Sequence, residues 1–301
     1  MAKTPVITLD LNFQGQRNSI AAYAIPYTDG VALVECGPGS TLPALETALS
    51  EKGYSIADVT HVLLTHIHLD HAGAAGYLAR QGADVYVHPM GAPHMLNPEK
   101  LIVSATRIYG DRMDTLWGEF LSVPEDRLKV PEDASEIIIG NLRFVPLDTP
   151  GHAEHHFVYL FEDICFTGDV GGVRIPGFPM LRLPLVPPEL HIERWQETIR
   201  KLQGLDIKRI APTHFGIFDD AEWHLERVLQ NLEAVERWLE DVMPAEPPVE
   251  ELRVMFVEWM EGQAREMGLS EDVIKSYSLV NPLGMSADGL LRYWKKFRMA
   301  N

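Results

Sequence analysis

Apolar residues in the N-terminal part of the chain come in short runs separated by Gly, Asn and Asp. Segments 6–11, 19–25 and 31–36 read as strands, because brief apolar or alternating runs between turn formers suit extended backbone. At 41–52 the period changes. Leu42, Leu45 and Leu49 share one face of a predicted helix that Gly53 closes. Segment 61–65 (HVLLT) reads as a buried strand, the residues around Leu78 as a helix, and 84–88 as another strand. Strand–helix–strand alternation predicts an α/β layered domain.

Between Pro89 and Pro131 prolines recur and the pattern turns helical near 99–108 and 114–121. This predicts a helical insertion or lid over about 90–131. Strands resume at 136–139, 142–147, 156–161 and 164–167. A Gly/Pro-rich loop follows at 171–188, a length that inside a domain often carries function. Next come a predicted helix over about 189–202 and a strand at 207–211. From Ala221 onward Leu225, Val228, Leu232, Val235 and Leu239 recur at three- and four-residue steps, the stripe of an amphipathic helix. Pro244, Pro247 and Pro248 break it, and two or three more helices reach Asn301. The expected organisation is a catalytic domain over 1–220 and a helical region over 221–301.

The composition narrows the function. With 46% apolar and 23% charged residues the 301-residue chain is a folding sequence, too apolar for a disordered one. Its formal net charge of −17 argues against nucleic acid or an anionic membrane as partner, since both need clustered Lys and Arg. No apolar run is long enough to span a bilayer, and the first ten residues show no leader pattern. Cys36 and Cys165 lie far apart, which excludes a disulfide framework and a Cys-rich zinc module. A cytoplasmic location is expected.

Chemistry concentrates in Thr65-His66-Ile67-His68-Leu69-Asp70-His71. Three imidazoles and a carboxylate follow an apolar strand, where a loop can fan them toward one point. Neutral nitrogen and anionic oxygen donors together are a metal-ligand set.

This HxHxDH run resembles the metallo-β-lactamase superfamily, and later segments match that family's motifs in order. Thr149-Pro150-Gly151-His152 resembles its TPGH segment, Thr167-Gly168-Asp169 its GD segment, and Pro212-Thr213-His214-Phe215-Gly216 its last metal-binding His. Glu35-Cys36-Gly37 resembles its DTG turn, with Glu in place of Asp. The resemblance implies an αββα metallo-β-lactamase sandwich. It implies one metal held by His66, His68 and His152, a second held by Asp70, His71 and His214, and Asp169 between them. Zinc is the first expectation, with iron and manganese as alternatives. Two such ions about 3.5–4 Å apart share a bridging hydroxide that attacks the substrate, with Asp70 orienting it. A small ester, thioester or lactone is the expected substrate, as in glyoxalase II and lactonases. A small-molecule phosphodiesterase or an iron-dependent oxidoreductase of the same superfamily is the alternative.

The remaining candidates carry smaller roles. His156 is read as a support that orients a ligand, and His155 as a surface or loop residue. Cys165 is read as a core residue and Cys36 as a core or loop residue, His61 as structural, and His224 as packed or exposed on the first C-terminal helix. Tyr109, Arg107, Arg112 and His94 in the lid, with Arg174 and His191, are candidate substrate contacts, although packing or a surface ion pair is the stronger reading of each. The C-terminal region is expected to help shape the pocket and to offer a homodimer contact.

Overall fold

The computed structural model describes residues 3–299. The N-terminal part builds one sheet: β1 (Ile7–Asp10), β2 (Ala21–Tyr27), β3 (Gly30–Val34), β4 (Val59–Leu63), β5 (Asp84–Tyr86) and β6 (Leu128–Lys129), adjacent in that order. The first three are antiparallel and the rest parallel. Parallel neighbours need crossover connections. These are α1 (Leu42–Ser50), then α2 (Leu69–Ala72) with α3 (Ala75–Arg80), then α4 (Ala92–Leu96), α5 (Glu99–Tyr109) and α6 (Met113–Trp117). The segment expected to be a helical insertion is therefore the β5–β6 crossover, and its end supplies the edge strand. Two residues are too few to show strand periodicity, so β6 was not legible.

A second sheet runs β11–β10–β9–β8–β7 in space, from β7 (Ile137–Ile139), β8 (Leu142–Asp148), β9 (Phe157–Phe161), β10 (Ile164–Phe166) and β11 (Arg209–Ala211). It is antiparallel except for β10 and β11, which α7 (Ile192–Gln203) connects. Side chains alternate across each strand. In β3, Ala32 and Val34 point between the sheets, where they meet Tyr23, Leu63, Phe144 and Tyr159. Val31 and Leu33 point to the helices on the outer face. The layers are therefore helix, sheet, sheet, helix.

The C-terminal helices are α8 (Ala221–Val242), α9 (Val249–Glu266), α10 (Glu271–Val280) and α11 (Leu283–Tyr293), followed by a π-helical turn at Trp294–Arg298. The apolar stripe of α8, Leu225, Val228, Leu232, Val235 and Leu239, packs in one cluster with Trp195 and Ile199 of α7 and Ile210 of β11. Phe256 of α9 and Leu290 of α11 join it. This region thus covers the outer face of the second sheet. Among the described residues no helix is long and apolar enough to cross a membrane.

Candidate metal centre

Every motif residue lies just beyond a strand end. His66 and His68 follow β4, and Asp70 and His71 lie in α2, where His68 is the residue before its first turn. His152 follows β8, Asp169 follows β10, and His214 follows β11. The strands are stiffened by the core, so the loops deliver the side chains to one place.

The donors form two groups. His66, His68, His152 and Asp169 each place one donor atom within 4.8 Å of the others, and so do Asp70, His71 and His214. In the first group His68 Nδ1 lies 2.9 Å from His66 Nε2 and 3.0 Å from His152 Nε2. Asp169 Oδ2 is 3.3 Å from His152 Nε2. In the second, Asp169 Oδ1 is 3.3 Å from His71 Nε2 and 3.4 Å from His214 Nε2. Asp70 Oδ2 lies 3.6 Å from His214 Nε2. The two oxygens of Asp169 thus face different groups.

The far side of the ligand rings is pinned. His152 Nδ1 lies 2.9 Å from the carbonyl of Pro184, and His214 Nδ1 lies 2.6 Å from that of Ser19. Each carbonyl fixes the tautomer that leaves Nε2 free to accept a cation. His71 is backed by Glu35, a fully buried acid with φ +66°. Left-handed backbone at a non-glycine residue stores strain that a packed site can retain. Gly168 has no side chain because a Cβ there would sit 2.4 Å from Thr65 Oγ1 and 2.8 Å from His156 Nε2.

Charge divides the groups. Burial, then neighbouring imidazoles, push His66 well below the ordinary histidine pKa, and burial lowers His68 and His152 too. Burial also opposes charge on His71 and His214, but Asp169 and Asp70 outweigh it and raise both. Burial alone would raise the two acids, yet the imidazoles hold Asp70 at about 2 and Asp169 well below its usual value. A buried carboxylate with a second, partly exposed one beside it demands positive charge between them.

The donor set fits a divalent metal. His71 Nε2 and Asp169 Oδ1 are buried without a hydrogen-bond partner in the protein, although both face the cluster. A tetrahedral ion with bonds of about 2.0–2.1 Å sets its donors roughly 3.3 Å apart, close to the spacing found. Nitrogen and carboxylate donors suit zinc, iron and manganese alike.

Other candidates sit elsewhere. His156 is fully buried, lies in neither donor group, stacks on the His66 ring at 5.1 Å and has its Nδ1 2.9 Å from Thr149 Oγ1. His155 is not a surface residue. It is only 8% exposed, its ring lies 5.6 Å from that of His68, and its Nε2 is 3.4 Å from Glu189. Glu189, far along the chain, meets this position, which local sequence does not reveal. Arg174 pairs with both oxygens of Asp220 at 2.6 and 2.8 Å and stacks on Phe218 and Trp223. His224 is buried with its Nε2 2.7 Å from the Gly171 carbonyl. His191 packs on Phe297 beside Glu193, and His94 is half-buried on α4. Tyr109 of α5 packs against Trp117 and Met285, and burial, followed by the Asp70 charge, raises its pKa. Cys36 and Cys165 are buried free thiols.

The role of Glu35 was not read from the sequence. Its signal is an acid directly after an apolar strand, in a Gly turn.

Comparison with known proteins agrees with this geometry. The chain is 28% identical over 229 residues to the metallo-beta-lactamase fold-containing protein ST1585 of Sulfurisphaera tokodaii, covering 72% of this chain and 85% of that protein. It is 28% identical over 169 residues to a hydroxyacylglutathione hydrolase of Xylella fastidiosa, covering 56% of this chain and 49% of that one. Among solved structures, the metallo-beta-lactamase family protein TTHA1429 of Thermus thermophilus superposes with a TM-score of 0.66 at 19% identity, over 97% of this chain and 93% of that one. That likeness speaks to the fold, C-terminal helices included. The family model of the metallo-beta-lactamase superfamily matches residues 15–214, and the chain belongs to that superfamily.

Proposed function

We propose that the protein is a dinuclear metal-dependent hydrolase of a small ester, thioester or lactone. The observation that carries this reading is the two-faced carboxylate of Asp169, one oxygen in each donor group. His66, His68 and His152 would hold one ion with Asp169 Oδ2. Asp70, His71 and His214 would hold the other with Asp169 Oδ1. When bound, the ions, zinc in the first instance, supply Lewis-acid activation of water and of the substrate carbonyl.

The protein's own part is placement. The Pro184 and Ser19 carbonyls fix the His152 and His214 rings before substrate arrives, and Glu35 sets a carboxylate oxygen 3.4 Å from His71 Nδ1, so little reorganisation is needed. Asp70 keeps 26% of its side chain exposed, against 5% or less for Asp169, His66, His71, His152 and His214. It is the more accessible of the two acids, and it would orient the attacking water. The names of relatives support hydrolysis: a hydroxyacylglutathione hydrolase and the probable metallo-hydrolase YqjP of Bacillus subtilis. The net charge of −17 supports a small substrate over a polynucleotide. Two buried free thiols support a reducing, cytoplasmic setting.

Metal content and turnover of zinc-loaded wild type and Asp169→Asn test this. Two ions per chain falling to one or fewer in the variant, with hydrolysis lost, is the expected result. Metal-loaded wild type that turns over no ester, thioester or lactone overturns the proposal.

A further inference from the structure

A cavity of about 320 Å³ lies beneath α5 and α6. Its apolar wall is Leu69, Ile102, Met113, Trp117 and Phe120. Leu69 stands between the candidate ligands His68 and Asp70 on α2, so one residue of the cavity wall is flanked by the donor groups. Leu69, Trp117 and Phe120 belong to the core yet keep 6–9% exposure, as expected of side chains that face an open space. Gly110 also lines the cavity, and a Cβ there would meet no atom within 4 Å. The volume is near the lower end for ligand pockets, which begin at roughly 300 Å³. It suits one group of a substrate rather than a whole large molecule.

Charge adds selectivity. Asp111 and Asp114 are the ionisable side chains of the lining, and both are exposed. Among the described residues no basic side chain lines the cavity. A carboxylate or phosphate entering there would meet like charge with no partner, which disfavours it.

We infer that this cavity binds an uncharged, apolar acyl group of the substrate and sets the enzyme's chain-length preference. The inference deepens the hydrolase reading above and rests on it. Each methylene moved from water onto this wall contributes about 0.8 kcal/mol, or roughly fourfold in kcat/KM, until the cavity is full.

The experiment uses the metal-loaded protein with p-nitrophenyl esters from acetyl to octanoyl, and calorimetric binding of N-methylalkanamides of matching acyl lengths. Wild type should show kcat/KM climbing with chain length and then levelling, with amide affinity following the same course. Thr106→Trp, at an exposed helical position on the rim, should cut the octanoyl-to-acetyl ratio at least tenfold. An acyl chain ending in a carboxylate should be rejected by wild type, and Asp111→Asn with Asp114→Asn should relieve the rejection. A flat chain-length profile with intact turnover overturns the inference and leaves the hydrolase reading standing. Chain-length-dependent amide binding without turnover of any ester supports the cavity and overturns the hydrolase reading. Amide affinity independent of chain length, or unchanged by Thr106→Trp, overturns the cavity's role.

Discussion

Glu35 Oε2 lies 3.4 Å from Nδ1 of His71, on the edge of the imidazole that points away from the donor group. The other oxygen, Oε1, accepts hydrogen bonds from the hydroxyls of Thr65 and Thr213 and from the Thr65 amide. One buried acid therefore ties three motif segments together and sets its second oxygen beside one ring. Carboxylates in this position make the facing ring nitrogen a stronger ligand. Glu35→Gln keeps the shape and removes the charge. We expect metal affinity to fall about 10–100-fold, measured by competition with a chromophoric chelator. A folded variant with wild-type affinity would show that Glu35 acts only in packing.

Tyr109 lies on α5 of the β5–β6 crossover, within range of the Asp70 charge. Its hydroxyl donates to Met285 Sδ at 3.6 Å, a weak acceptor, and its ring packs edge-on against Trp117. The β5–β6 crossover and the C-terminal helices meet at this contact. Burial and then the Asp70 charge raise the phenol pKa, so the group stays a donor at neutral pH. It is free to exchange the sulfur for a substrate oxygen. Tyr109→Phe should lower kcat/KM about tenfold, the worth of one hydrogen bond of about 1–1.5 kcal/mol, with little change in Tm. Unchanged turnover would remove Tyr109 from substrate binding.

The parts of this site that could be read from the chain are those where chemistry is dense. Three His and an Asp within six positions after an apolar run have few other readings, and the strands on which they hang show as apolar runs. Other parts depend on what packs against what. The stripe of α8 says that one face is buried, but not that the second sheet buries it. His155 sits in a loop by its neighbours, and tertiary contacts bury it. Glu35 resembles any turn residue until its carboxylate is seen beneath His71.

Arg174 follows the Asp169 loop in sequence, but its guanidinium turns toward α8. There it meets Asp220 bidentately and lies 4.0 Å above Phe218 and 4.5 Å above Trp223. A charge-assisted fork and two aromatic faces together contribute about 1–3 kcal/mol. Arg174→Ala should therefore lower stability by that amount in urea titrations while the KM for ester substrates stays near wild type. The opposite pattern, full stability with a raised KM, would place Arg174 at the substrate after all.

Asp163, in the turn between β9 and β10, joins the N-terminal segment to the edge strand of the second sheet. It accepts Lys3 Nζ at 2.6 Å and Arg209 Nη2 at 2.6 Å. The Arg209 hydrogen bond, with help from Lys3, holds its carboxyl at about 2 against a usual 3.8. A carboxyl depressed in the folded state binds its proton more readily when unfolded, so stability rises with pH across that interval. The contribution is complete above about pH 4 and is mostly lost as the pH falls to about 2. With a fifth of the side chain exposed, solvent screening leaves it at about 1–2 kcal/mol. Asp163→Asn should thus be less stable than wild type at pH 7 by this amount, and the two should converge near pH 2. Denaturant midpoints across that range, at low salt, measure the gap. A gap that stays constant down to pH 2 would mean that the aspartate acts there through its shape and not its charge.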